Sequence, residues 1–131
     1  MKNRKNTTTG LIATILFIVA MTACTNKKGP DEVAATVSFK TDIIPIFKTS
    51  CAINSSCHSG TSNTGDNYDF DSSVAYTTIT GKQLIVTGTP TESLLYVEVS
   101  TGTMPKAPYS PLSSSQVALI LNWIKQGAQN N

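Results

Sequence analysis

Two long stretches of turn-forming residues constrain what this chain can fold into. Residues 59–88 are rich in Ser, Thr, Gly, Asn and Asp, and residues 100–112 contain Pro105, Pro108 and Pro111. Loops of this length are uncommon in a small domain unless they serve a function or are tied to something else. Only short helices remain to bury apolar surface. The sequence therefore predicts a thin skeleton that needs an additional apolar body in its core.

Three apolar patterns at helical spacing form that skeleton. The first covers Phe39–Ser50, and the second covers Pro90–Val99, where Thr89 has the sequence position of a helix cap. The third starts from Ser113, which opens a capping-box sequence, and it stops at Gly127, a residue suited to a left-handed helix end. We therefore expect an all-α fold with three to four short helices.

The N-terminus has the composition of an export signal. Residues 1–6 carry three cations, and Leu11–Met21 is an apolar run in which Thr14 is the one polar residue. A membrane-spanning helix needs about 20 apolar residues, whereas this shorter run fits the apolar region of a secretory signal. The residues that lead to Cys24 resemble a bacterial lipobox, in which the Cys is lipidated. An ordinary signal peptide with a coincidental Cys is the alternative.

These features divide the chain into three parts. We expect a lipoprotein signal peptide over residues 1–23, a lipidated N-terminus and flexible tether over 24–37, and a folded domain over 38–129. The whole chain has a net charge of +2. Without the predicted signal, 7 Lys and Arg residues face 8 Asp and Glu residues. This balance argues against a nucleic-acid partner.

Soft metal ligands and thiols are scarce in the remaining chain. Outside the predicted signal, Met104 is the only Met, His58 is the only His, and Cys51 and Cys57 are the only Cys residues besides Cys24. The adjacent Cys-His pair is similar to the haem-attachment motif C-x-x-C-H, but five residues separate the two Cys here instead of two. In an exported protein, two nearby Cys more often form a disulfide, and the adjacent His would then be incidental.

The wider sequence resembles the cytochrome c family, and most of all the short c-type domains of bacterial envelope proteins. The similarity covers most of residues 39–128. It includes the segments Asp42–Phe47, Cys57–Gly60, Gly88–Tyr96, Met104-Pro105 and Leu112–Ala128.

The resemblance implies a cytochrome c-like fold wrapped around one haem c. Cys51 and Cys57 would hold the haem covalently, and His58 and Met104 would be the two axial ligands of its iron. In the family, the first and last helices cross and pack. The five-residue spacing departs from the family pattern, so Ala52–Ser56 would have to bulge outward. Attachment through Cys57 alone also stays open.

The function that follows from the resemblance is electron transfer, not enzymatic catalysis. We expect redox proteins of the cell envelope as partners, and a lipid anchor on Cys24 that holds the protein to a membrane outside the cytoplasm, at the periplasmic face or the cell surface. The alternative function is that of a cofactor-free binding module that is cross-linked by a Cys51–Cys57 disulfide. A haem site in which Met104 is displaced, with small-molecule or peroxide reactivity, is a further alternative.

Overall fold

Four α-helices form the framework of the protein in a computed structural model that describes residues 35–60 and 67–131. They are α1 Ile44–Ser50, α2 Ala75–Gly81, α3 Leu94–Ser100 and α4 Ser114–Lys125. No β-strand occurs among these described residues. The predicted all-α class is therefore confirmed.

A π-helical turn, Phe39–Ile43, opens the first helical region and continues into α1. Ser38 caps this turn: its Oγ accepts a hydrogen bond from the Thr41 N–H at 3.3 Å, and its own N–H donates to Asp42 Oδ2 at 2.7 Å. Pro45 is tolerated because it lies in the first turn of α1, where a missing N–H costs little. These segments confirm the first predicted helix.

The second predicted helix is split in two. A 3₁₀ turn covers Pro90–Glu92, and α3 starts at Leu94, because Ser93 between them has an extended backbone with φ −60° and ψ 126°. The Ser93 side chain is fully buried, and its Oγ accepts a hydrogen bond from the Val86 N–H at 2.9 Å. This contact with the segment before the 3₁₀ turn is compatible with the non-helical conformation of Ser93.

The two predicted helix caps have different outcomes. Thr89 occupies the predicted cap position, with Pro90 as the first helical residue, but its hydroxyl donates to Glu92 Oε2 at 2.8 Å and accepts no bond from a backbone N–H, so the predicted capping box is not formed. The capping box at Ser113 is confirmed, since Ser113 Oγ accepts from the Gln116 N–H and the Gln116 side chain accepts from the Ser113 N–H. The predicted stop at Gly127 is also confirmed by its φ of 90°.

Helix α2 lies in a stretch that the sequence predicted to be mostly irregular. Its Thr residues have modest helix propensity, so local preference does not account for it. Ala75 and Ile79 are fully buried one helical turn apart. Tyr76 packs edge-on against Phe39 at 5.3 Å, and its hydroxyl donates to the Ala128 carbonyl at 3.1 Å. Tertiary packing therefore stabilises this helix.

The core is centred on the contact between α4 and the N-terminal π-helical turn. The fully buried Trp123 of α4 lies 5.0 Å from Phe39, between ring centroids, and its Nε1–H donates to the Gln129 carbonyl at 2.9 Å. Helix α4 also packs against α3. Val37, which the sequence division places in the tether, is buried in this core.

The predictions for the N-terminus lie outside the described residues. They concern the signal peptide over 1–23, the lipidation of Cys24 and most of the tether over 24–37. Among the helices that the structure describes, none is both long and apolar enough to cross a membrane.

Candidate functional site

A cavity of about 1030 Å³ lies beside the core, and it brings together the residues that the sequence singled out. Cys51, Cys57, His58 and Met104 all line it, although Met104 is far from the others in the sequence. This volume lies at the upper end of the roughly 300–1,000 Å³ typical of small-molecule and cofactor sites.

Much of the remaining wall is apolar. Residues from α3, from the segment before it and from the loop after the Cys-His pair contribute the apolar side chains, which include Tyr68, Phe70, Leu84, Leu94, Leu95 and Val99. A mostly apolar cavity with a few polar or ligating groups has the general make-up of a small-molecule or cofactor site.

The segment between the two Cys residues closes on itself. The His58 N–H donates to the Cys51 carbonyl at 3.1 Å, and the Cys57 N–H donates to the Asn54 carbonyl at 3.0 Å. These bonds place the two ends of the segment side by side despite the five-residue spacing. Residues 53–56 are exposed, which agrees with the predicted outward bulge.

The hydrogen bonding of His58 defines its tautomer. His58 Nδ1 lies 3.0 Å from the Tyr68 carbonyl oxygen. A carbonyl oxygen only accepts hydrogen bonds, so Nδ1 carries a proton, and in the neutral tautomer that matches this contact the lone pair is on Nε2. Phe70 packs against the imidazole with 4.9 Å between ring centroids, and its N–H donates to the His58 carbonyl at 2.7 Å. The ring is thereby held in an orientation suited to metal ligation through Nε2.

Both cavity thiols are free in the structure. Cys51 lies at the end of α1, where its N–H donates to the Phe47 carbonyl at 2.9 Å. Burial, and to a lesser extent the nearby Cys57, raise the pKa of the Cys51 thiol from 9.0 to about 12. Cys51 is therefore a neutral thiol at ordinary pH.

Met104 lies shortly after the end of α3, in the proline-rich loop of residues 101–112. Its N–H donates to the Glu98 carbonyl at 3.0 Å, so a backbone bond to the last turns of α3 fixes its position. The residue is half-buried, and the following Pro105 is buried. Its thioether is a soft donor that suits haem iron.

Sequence reasoning missed several residues of the wall. Tyr68 and Phe70 lie in a stretch predicted to be irregular, yet they orient His58. They are the only aromatic residues between Phe47 and Tyr76, and this isolated pair was a signal that they serve a site. Asn54 and Tyr109 also line the cavity and gave no comparable signal, because each lies in a polar loop.

Comparison with known proteins identifies no relative. No family model, no curated protein and no solved structure matches this chain.

Proposed function

We propose that this protein is a monohaem c-type cytochrome that transfers electrons in the bacterial cell envelope. The observation that carries the proposal is the single cavity that Cys51, Cys57, His58 and Met104 all line. Outside the predicted signal, these four residues are the whole supply of His, Met and Cys besides Cys24. A shared role in binding one cofactor would explain why these rare residues line the same apolar cavity.

The residues present fit haem c in their chemistry. His58 has its Nδ1–H committed to the Tyr68 carbonyl, which leaves Nε2 as the ligand atom. Met104 offers a thioether from a second segment that lines the same cavity. A haem iron needs only two axial protein ligands, and His58 and Met104 are one candidate for each position.

Each residue has a distinct role in the proposal. His58 is the proximal ligand, Met104 is the distal ligand, and Cys51 and Cys57 hold the haem covalently. In each attachment, the sulfur bonds to one carbon of a haem vinyl group, and the thiol proton ends on the other carbon. When bound, haem c supplies an iron that gains or loses one electron between Fe(III) and Fe(II). Because both axial positions are filled, we expect a carrier and not an enzyme.

The remaining parts of the proposal concern location and partners. A lipidated Cys24 would anchor the folded domain to a membrane outside the cytoplasm, since several acyl chains together give firm attachment. Redox proteins of the cell envelope are the expected partners. A cytochrome c-like arrangement of the helices around the haem belongs to the same proposal.

The pyridine haemochrome spectrum tests the function. The full chain is exported from a bacterial host that has haem-attachment machinery, as wild type and as Cys51→Ala, Cys57→Ala and the double variant. We expect a spectrum characteristic of two thioether bonds in the wild type, of one in each single variant, and no covalent haem in the double variant. A colourless wild type with a Cys51–Cys57 disulfide would instead support the cofactor-free binding module.

The single variants also show whether two Cys residues separated by five residues can both attach the haem. If haem attaches through Cys57 alone, the wild type gives the one-thioether spectrum, Cys51→Ala is unchanged, and Cys57→Ala loses covalent haem. The same set of proteins therefore distinguishes double attachment from single attachment.

A further inference from the structure

A side-chain hydrogen bond connects the two loops that carry the proposed iron ligands. Asn54, between the two Cys residues, donates from Nδ2 to the Tyr109 hydroxyl at 3.1 Å. Tyr109 follows Met104 in the proline-rich loop, and both Asn54 and Tyr109 line the cavity. In the part of the chain that the structure describes, no other side-chain hydrogen bond joins the Cys-His loop, residues 51–58, to the proline-rich loop.

Asn54 is well fixed for this contact. Its Oδ1 accepts from the Ser56 N–H at 2.9 Å, and its carbonyl accepts from the Cys57 N–H at 3.0 Å. The side-chain amide therefore has its oxygen occupied within its own loop and its nitrogen directed to Tyr109. The longer Cys spacing provides the residue that makes this contact.

The other bonds that hold the Met104 segment do not reach the Cys-His loop. The Met104 N–H donates to the Glu98 carbonyl at 3.0 Å, and the Tyr109 N–H donates to the Lys106 carbonyl at 3.1 Å. Both bonds stay within residues 98–109, so they shape the segment without fastening it to the opposite loop. The Asn54–Tyr109 bond is the one that does so.

We infer that Asn54 and Tyr109 form a strap that holds the Met104 segment closed on the cavity. This inference rests on the proposed function, in which the strap makes Asn54 a positioning residue for the Met104 ligand. Tyr109 is 39% exposed, so the bond competes with water and its contribution is modest. Breaking it should leave haem attached and make Met104 easier to displace from iron.

Imidazole is the probe for displacement of Met104. We would titrate it into the oxidised, haem-loaded full chain as wild type, Asn54→Ala, Tyr109→Phe and the double variant. Each single variant should bind imidazole about two- to tenfold more tightly than wild type. The double variant should gain no more than the larger single change, because both substitutions break the same bond.

A matched control separates the strap from general loosening. Tyr76→Phe removes a hydroxyl that donates to the Ala128 carbonyl at 3.1 Å, away from the cavity wall. It should leave imidazole affinity unchanged. Equal imidazole affinity in wild type and Tyr109→Phe would overturn the strap and leave the proposed function standing, as would an equal gain in Tyr76→Phe and Tyr109→Phe.

Hydrogen exchange distinguishes failure of the strap from failure of the function. If the wild type is colourless, the proposed function fails, and the positioning role of Asn54 fails with it. The strap itself is then tested by the exchange of the Met104 amide. Exchange several-fold faster in Tyr109→Phe than in Tyr76→Phe supports the fastening of the loop, and equal rates overturn it.

Discussion

The two sides of this small protein are stabilised in different ways. On the helical side, Trp123, Ile120 and Ile124 of α4 are fully buried, and Phe39 packs on Trp123. On the cavity side, Cys51, Cys57, His58 and Met104 are only half-buried and lie on or next to loops. The helical side is stabilised by close packing, whereas backbone hydrogen bonds shape the cavity side around an open space.

The difference shows which side of the fold keeps an open cavity. Phe47 belongs to the helical core and stacks on Phe70 with 5.1 Å between ring centroids, and Phe70 in turn contacts His58. The helical side therefore supports His58, the proposed ligand, through aromatic contacts. Substitutions on the helical side should change stability, and substitutions on the cavity side should change ligand chemistry.

The largest expected effect comes from His58→Ala on the cavity side. Loss of the imidazole removes the proposed proximal ligand, so the absorption spectrum should change from that of a six-coordinate to that of a weakly ligated haem iron. Ser59→Ala is the control, because Ser59 neighbours His58 and does not line the cavity. An unchanged spectrum in His58→Ala would exclude His58 as an iron ligand.

The reactivity of Cys51 tests whether the cavity wall stays packed without haem. In haem-free protein, the rate of its alkylation by iodoacetamide should rise about tenfold per pH unit beyond pH 9, because the thiolate reacts and its pKa is raised to about 12. In the haem-free protein, the Cys51 thiol of the unfolded chain loses its proton at a lower pH than that of the folded chain, because folding raises its pKa from 9.0 to about 12. The free energy of unfolding should therefore fall as the pH rises from about 9 towards 12.

Glutathione in the same reaction is the control for the reagent, and circular dichroism checks that the helices persist. Mass spectrometry of the peptide that contains Cys51 gives the rate. A rate that levels off near pH 9 would mean that the wall is open in the absence of haem.

Trp123→Ala tests the helical side. Removal of this fully buried ring should lower the free energy of unfolding of the haem-loaded protein by about 3–5 kcal/mol, as measured by urea titration. Tyr109→Phe should change it by less than about 1.5 kcal/mol, since only one exposed hydrogen bond is lost. Similar losses in the two variants would remove the distinction between the two sides.

Met104→Ala should keep the haem and lower its reduction potential. Axial ligands shift haem potentials over a range of roughly 0.8 V, and the loss of a Met ligand moves the potential downward within that range. Thr103→Ala is the control, because Thr103 lines the same cavity without a soft donor. A midpoint potential equal to that of wild type would exclude Met104 as the distal ligand.

Ser113→Ala should give the smallest effect. It removes the side-chain half of the capping box of α4 and should cost about 1 kcal/mol of unfolding free energy in a urea titration. Ser114→Ala, one position into the helix, should cost less, because Ser114 is not the cap. A larger loss in Ser114→Ala than in Ser113→Ala would contradict the assigned cap.

The sequence predicted best what local rules determine. The capping box at Ser113 and the stop at Gly127 were read correctly because cap geometry depends on neighbouring residues. Helix α2 was missed because its stability comes from burial of Ala75 and Ile79 against distant residues. At Thr89 the cap position was predicted correctly but the capping box was not, because the Thr89 hydroxyl donates to the Glu92 carboxylate and accepts no backbone bond.

The sequence singled out four residues that line the cavity, but it did not predict the rest of the cavity wall. Cys51, Cys57, His58 and Met104 stood out as rare residue types, and all four line the cavity. The contact between Asn54 and Tyr109 depends on the folding of two loops that are remote in sequence, and no local pattern encodes it.

The intact mass of the purified full chain tests the central claim most directly. Protein exported from a host with haem-attachment machinery should carry the added mass of one haem, retained after denaturation because the bond is covalent. A mass without haem and lower by two hydrogens would show a Cys51–Cys57 disulfide in its place, and would contradict the assignment of this cavity to haem c.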